Sequence, residues 1–171
     1  YFQQNRWKFY NRTKTSEKID NEDFRTWDLN TLFAEIHTHF QNSLQNGIIL
    51  QQTNLEGFND ILHLQKDSKL YRPTLFDFIA HNALNFYKTP ENSITKPADK
   101  FEVSAKDFEQ FFKTNSSYLD EKDQQSLLLN ALTIYQKLIA FHSKTKNENA
   151  FVSVELERLN FLKQHSNFEG N

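Results

Sequence analysis

Thr74-Leu75-Phe76-Asp77-Phe78-Ile79-Ala80-His81-Asn82-Ala83-Leu84-Asn85-Phe86-Tyr87, with Pro73 before it, is the stretch on which the fold class turns. Leu75, Phe76, Phe78, Ile79, Ala80, Ala83, Leu84, Phe86 and Tyr87 put apolar side chains nearly all round a helix. A helix that is apolar on most sides is buried on most sides. Pro73 presets the backbone for a helix start, Thr74 is a good N-cap, and Asp77 stands where a capping box needs its acid. Residues 75–88 are therefore expected to form the central helix of an all-α domain.

Working toward the C-terminus, residues 89–103 hold Pro90 and Pro97 and no helical pattern, so an extended crossing segment is expected. Phe101 and Val103 alternate with polar residues, but no partner strands for a sheet are evident. Ser104 and Asp107 start a helix bearing Phe108, Phe111 and Phe112, and Asn115-Ser116-Ser117 makes a turn. Asp120 caps a long helix through Leu127, Leu128, Ala131, Ile134, Tyr135, Leu138 and Phe141. After a polar turn from Lys144 to Asn149, a last helix carries Ala150, Val154, Leu159 and Leu162 and ends near His165.

Toward the N-terminus, residues 63–72 read as a polar connection. Thr53-Asn54-Leu55-Glu56 fits a capping box opening a short helix through Phe58, Ile61 and Leu62. Thr26 or Asp28 caps a helix whose face is Leu29, Leu32, Phe33, Ile36, Phe40 and Leu44; Gly47 either closes it as a C′ residue or is passed by a continuing helix. Residues 12–25 are a polar loop, and Gln3, Trp7 and Tyr10 carry the spacing of a helix end. The sum is about seven helices in antiparallel αα-hairpins, stacked in a tetratricopeptide-like way or bundled, in a single helical domain over 1–171. Asn82-Ala83-Leu84-Asn85-Phe86-Tyr87 echoes Asn130-Ala131-Leu132-Thr133-Ile134-Tyr135. The offset of about 48 is longer than the tetratricopeptide period of about 34, so shared helix-packing composition explains the echo better than true repetition.

Composition narrows the function classes. The 171 residues carry 20 Lys+Arg against 22 Asp+Glu, interspersed, which leaves no basic run to track a phosphate backbone and argues against nucleic-acid binding. With no Cys, disulfides, thiolate metal sites and cysteine nucleophiles are excluded together. The apolar runs are far shorter than the roughly 20 residues a membrane helix needs, and no signal-peptide pattern opens the chain, so a soluble fragment is expected. The absence of Met and the abrupt start suggest a piece excised from a larger protein; Tyr1-Phe2-Gln3 reads either as native sequence or as a tag remnant. The 17 Phe, 6 Tyr and 2 Trp fall at helical spacing and read as core.

Few residues suggest chemistry. His37 and His39 are two apart and point to different sides of a helix, whereas Glu35 and His39, four apart, face together. Two ligands do not make a zinc site, and the pattern is not His-Glu-x-x-His. Asp77 and His81, also four apart, have the residue types of half a hydrolase triad, but no nucleophile elbow accompanies them. The plainer expectation is that Asp77 belongs to the helix cap and that His81 makes an internal hydrogen bond. With Gly at 47, 57 and 170 only, a Gly-rich phosphate loop is impossible. No catalytic residue, cofactor site, metal site or small-molecule substrate is assigned, and the chain is expected not to be an enzyme.

Five stretches carry a resemblance: Gln4-Asn5-Arg6-Trp7-Lys8-Phe9-Tyr10-Asn11-Arg12-Thr13, Thr26-Trp27-Asp28, Arg72-Pro73-Thr74-Leu75-Phe76-Asp77-Phe78-Ile79-Ala80-His81, Ala140-Phe141-His142 and Leu156-Glu157-Arg158-Leu159. Together they resemble the N-terminal helical region of large alpha-2-macroglobulin-like proteins of Bacteroidetes. The resemblance implies a cell-envelope or periplasmic location and a parent protein that traps or inhibits proteases. It transfers no functional residue: there is no Cys for a thioester, and the β-rich macroglobulin domains are absent. The expected role is then a protein-interaction or domain-positioning module, whose partners are neighbouring domains or another protein. The alternative is an independent helical scaffold that binds a peptide or partner protein in a groove. On either reading Trp7, Trp27 and Phe78 are expected in the core, and Arg72 is expected to pair with a carboxylate.

Overall fold

A computed structural model describes residues 4–9, 20–63, 65–89 and 127–165. These residues are all-helical, with six α-helices and no β-strand among them. They are α1 (Leu29–Ser43), α2 (Gly47–Gln52), α3 (Ser68–Tyr71), α4 (Leu75–Tyr87), α5 (Leu127–Thr145) and α6 (Glu148–His165), with 3-10 turns at Arg6–Lys8, Phe24–Thr26 and Leu55–Phe58. The chain divides into two compact units, Tyr1–Gln45 and Asn46–Asn171. The crossing segment after Thr89, the helix capped by Ser104, the turn at 115–117, the Asp120 cap and Tyr1-Phe2-Gln3 lie outside the described residues.

In the first unit Asp28, not Thr26, caps α1: its Oδ1 accepts the Thr31 N–H at 2.8 Å. Leu29, Leu32 and Phe33 of the expected face are buried. Trp27 is core, and its indole N–H donates to the Asp20 carbonyl. Trp7 is 70% exposed, contrary to expectation; its stretch makes a single 3-10 turn whose buried residue is Phe9. A turn that short cannot bring both rings to one side.

The second unit is organised on α4, which packs against α2 and α5; α5 packs against α6, and α3 lies on α6. The capping box forms as expected: Thr74 Oγ1 accepts the Asp77 N–H, and Asp77 Oδ2 accepts the Thr74 N–H. An isolated bridge between Asn54 and Thr74, through Leu75 N–H to Thr53 O at 2.9 Å, ties the preceding segment to this helix start. Leu84, Tyr87, Tyr135, Leu138, Val154 and Leu162 are fully buried, each worth roughly 1.5–3 kcal/mol if apolar. Phe76 meets Phe141 edge-to-face at 5.8 Å. The sequence echo has a packing basis: Ala83 and Ala131, and Tyr87 and Tyr135, are completely buried on the contacting helices α4 and α5.

Several local expectations change. Gly47 is the first residue of α2, not a C′ residue, because the chain turns over Leu44 to Asn46 before resuming. The box at Thr53 does not form: Asn54 is the cap, accepting the Glu56 N–H, while Thr53 Oγ1 bonds back to the Ile49 carbonyl. The helix expected through Ile61 stops at Phe58, and the connection at 63–72 contains α3. Phe78 is 37% exposed, on the one side of α4 that its neighbours do not cover. Leu159 is likewise outside the core.

Candidate functional site

In the second unit the buried Asp77, His81 and His142 lie together where the first turns of α4 meet the last turn of α5, with Glu157 of α6 alongside. Asp77 is fully buried, and the helix cap accounts for only one of its oxygens. Oδ2 accepts the Thr74 N–H at 3.0 Å and the Thr74 hydroxyl at 2.7 Å; Oδ1 faces His142 Nε2 at 2.7 Å. A carboxylate offers only lone pairs, so His142 donates from Nε2. His142 Nδ1 is buried, with no hydrogen-bond partner among the described residues. Asp77 thus links the first turn of α4 to the last turns of α5, sixty-five residues away in sequence.

His81 does not bond the Asp77 carboxylate. Its Nδ1 donates to the Asp77 main-chain carbonyl at 2.8 Å, one helical turn back. Its Nε2 looks toward Glu157 Oε1 at 3.8 Å. Burial lowers the His81 pKa below its ordinary value, helped by the Arg72 charge; the carbonyl bond, Glu157 and Asp77 oppose the shift without reversing it. His81 is therefore a neutral imidazole near pH 7.

Glu157 on α6 is the hub of the outer part. Arg72 approaches at 3.5 Å and Lys88 at 3.7 Å, from opposite ends of α4, so Arg72 finds the carboxylate expected for it. Lys88 also donates to Tyr135 Oη at 3.2 Å and lies 5.8 Å from its ring centroid. Burial, with Glu157 adding to it and Arg72 opposing, raises the Tyr135 pKa well above its ordinary value, so the phenol stays protonated. Arg158, one residue on, is buried and donates Nε and Nη2 to Glu155 Oε2 at 2.9 and 2.7 Å.

The chemistry this can perform is limited by its order. A hydrolytic triad runs hydroxyl, imidazole, carboxylate, so that the imidazole takes the hydroxyl proton. Here the carboxylate lies between: Thr74 donates to Asp77, and His142 donates to Asp77 from the other side. Among the described residues no imidazole meets the Thr74 hydroxyl, whose hydrogen bond goes to the Asp77 carboxylate. What the network visibly does is tie parts of the fold together. Asp77 to His142 and Glu157 to Arg72 and Lys88 join different elements, Thr74 and Asp77 close a helix end, and the His81 and Arg158 bonds stay within one helix.

The other candidates stay apart. Glu35 and His39 face together on α1 at 3.4 Å, on an exposed side. His37 is half-buried, and desolvation lowers its pKa. Among the described residues no three His, Cys, Asp or Glu side chains are grouped to hold a metal ion, and no helix is long and apolar enough to cross a membrane.

Sequence reasoning singled out Asp77 and His81 but missed their partners His142 and Glu157, and the Lys88–Tyr135 pair beyond Glu157. A signal existed for His142: it continues the buried stripe of Tyr135 and Leu138, so a polar group stands at a core position. Arg158 similarly continues the stripe of Val154. Lys88 follows the last residue of α4 and carried no such mark. No protein-family model, curated protein or solved structure matches this chain.

Proposed function

We propose that this chain is a non-catalytic helical module that holds neighbouring domains or a partner protein in place, within an envelope protein of the alpha-2-macroglobulin-like, protease-trapping kind. The observation that supports this reading is the convergence of three stretches that carry the resemblance. Arg72, Thr74, Asp77 and His81 from the first, His142 from the second and Glu157 from the third meet in one network, in which Asp77 ties α4 to α5 and Glu157 ties α6 to Arg72 and His81. A module whose distinctive polar residues all serve helix placement suits positioning better than turnover. The two-residue connection between the packed helices α5 and α6 also favours a hairpin, the unit from which stacked helical arrays are built.

The test is the coding region around residue 171. Successive β-sandwich patterns downstream, with or without a Cys-x-x-Gln motif, support the assignment. A stop codon or an unrelated catalytic domain directly downstream overturns it. The groove-binding scaffold is the second reading, favoured by the apolar side chains that α3 and α6 leave half exposed, among them Leu70, Tyr71 and Leu156.

A further inference from the structure

The outer face of α6 carries an apolar stripe that the core does not use. Ala150, Val154, Phe161 and Leu162 point inward and are buried. On the opposite side Val152, Leu156 and Leu159, at steps of four and three, are 52%, 57% and 39% exposed. The stripe is bounded by charge: Glu148 stands in the first turn of the helix and Lys163 in the last, both exposed.

We propose that this face binds a second copy of the chain, with the two α6 helices antiparallel about a two-fold axis that crosses them between Glu155 and Leu156. Turning the helix end for end about that axis sets Val152 against Leu159 of the copy and brings the two Leu156 side chains beside each other, about 1.5 Å out of exact register along the helix. The same operation sets Glu148 against Lys163 of the copy, and the two-fold makes each pair twice. A parallel pairing would instead oppose Glu148 to Glu148 and Lys163 to Lys163, so charge selects the antiparallel arrangement. Three aliphatic side chains make a patch smaller than the roughly 1,200 Å² of a stable complex, so the association is reversible and depends on concentration. This inference does not rest on the family reading.

The test is sedimentation equilibrium of the 171-residue chain up to about 1 mM, the weak end of specific association. A monomer–dimer equilibrium is expected. Leu156→Glu should raise the dissociation constant at least about tenfold, with the far-UV spectrum unchanged. Glu148→Lys and Lys163→Glu should each weaken the dimer, and the double reversal should restore it. Because the chain has no Cys, Leu156→Cys introduces the only thiol and should give a disulfide-linked dimer on mild oxidation. Val152→Cys, whose opposite residue is Leu159, should not. A monomer at every concentration, a dimer indifferent to Leu156→Glu, or a double reversal that restores nothing would each overturn the proposal.

Discussion

Replacing Asp77 by Ala removes one side chain and strands three donors. The Thr74 N–H and hydroxyl lie at the helix start and are only partly buried, so water recovers part of their loss. Thr74 Oγ1 can still accept the main-chain N–H of residue 77, so half the capping box survives, and the cap contributes about 1 kcal/mol to the loss. The His142 Nε2–H is fully buried, and leaving such a donor unsatisfied costs about 1–3 kcal/mol. Asp77→Ala should therefore cost about 2–4 kcal/mol, a large part of the 5–15 kcal/mol that holds a typical domain folded. Asp77→Asn should fall between it and the native chain. Its carbonyl can serve Thr74, but its amide then faces His142, which can accept from it only by carrying its proton on Nδ1, an atom with no partner among the described residues. Urea unfolding followed by far-UV circular dichroism measures these costs as shifts in midpoint at constant slope. A double-mutant cycle with His142→Phe isolates the pair: the double variant should cost about 1–2 kcal/mol less than the sum, because the stranded donor is gone. Asp77→Ala within about 0.5 kcal/mol of the native chain, or a cycle additive to that precision, would refute the placement of Asp77 at the centre of the network.

Three further outcomes follow from the same residues. Because the folded pKa of His81 lies below its ordinary 6.5, the unfolded chain takes up the proton first; the stability present above pH 6.5 is lost as pH falls toward the folded value, and His81→Gln should flatten that limb in unfolding midpoints measured from pH 8 to 5. Tyr135 behaves oppositely: the unfolded phenol ionises near its ordinary 10.0 while the folded one keeps its proton, so stability is full below pH 10 and falls as pH rises beyond it, and Tyr135→Phe should remove that loss in alkaline titrations followed by circular dichroism. Gly47 opens α2 with a negative φ and nothing within 4 Å of an added Cβ, so Gly47→Ala should raise stability by about 0.5–1 kcal/mol in thermal unfolding.

The parts of the fold that were legible are those where one residue type has one use. Pro73, Thr74 and Asp77 could hardly serve anything but a helix start, and they form one. Ala83 and Ala131, small residues beside large rings, marked the faces along which α4 and α5 approach. What failed was local competition. Thr53 and Asn54 are both capable caps; a hydroxyl that can reach the Ile49 carbonyl leaves the cap to Asn54, and no sequence rule ranks those two bonds. Trp7 and Phe78 were placed inside on apolarity alone, which is a one-way rule: folded surfaces keep much apolar area. The candidate site was legible on one helix only. Asp77 and His81 are neighbours by the 3.6-residue period, but His142 and Glu157 join them by tertiary packing, which periodicity does not encode.

α6 shows how the two kinds of information meet. Its sequence alternates so that Val154, Arg158 and Phe161 belong to one side and Val152, Leu156 and Leu159 to the other. Read for amphipathicity alone, such a helix looks weak, since apolar residues on both sides cancel. The structure resolves the ambiguity by giving the inner side a core and Glu157 a place at its edge, within reach of Arg72, Lys88 and His81. The outer side is left exposed among the described residues. A substitution there should change association and leave the unfolding midpoint of dilute protein alone, whereas one at Val154 should do the reverse. That separation between the two faces of one helix is what distinguishes a surface kept for contact from a core residue that happens to be exposed.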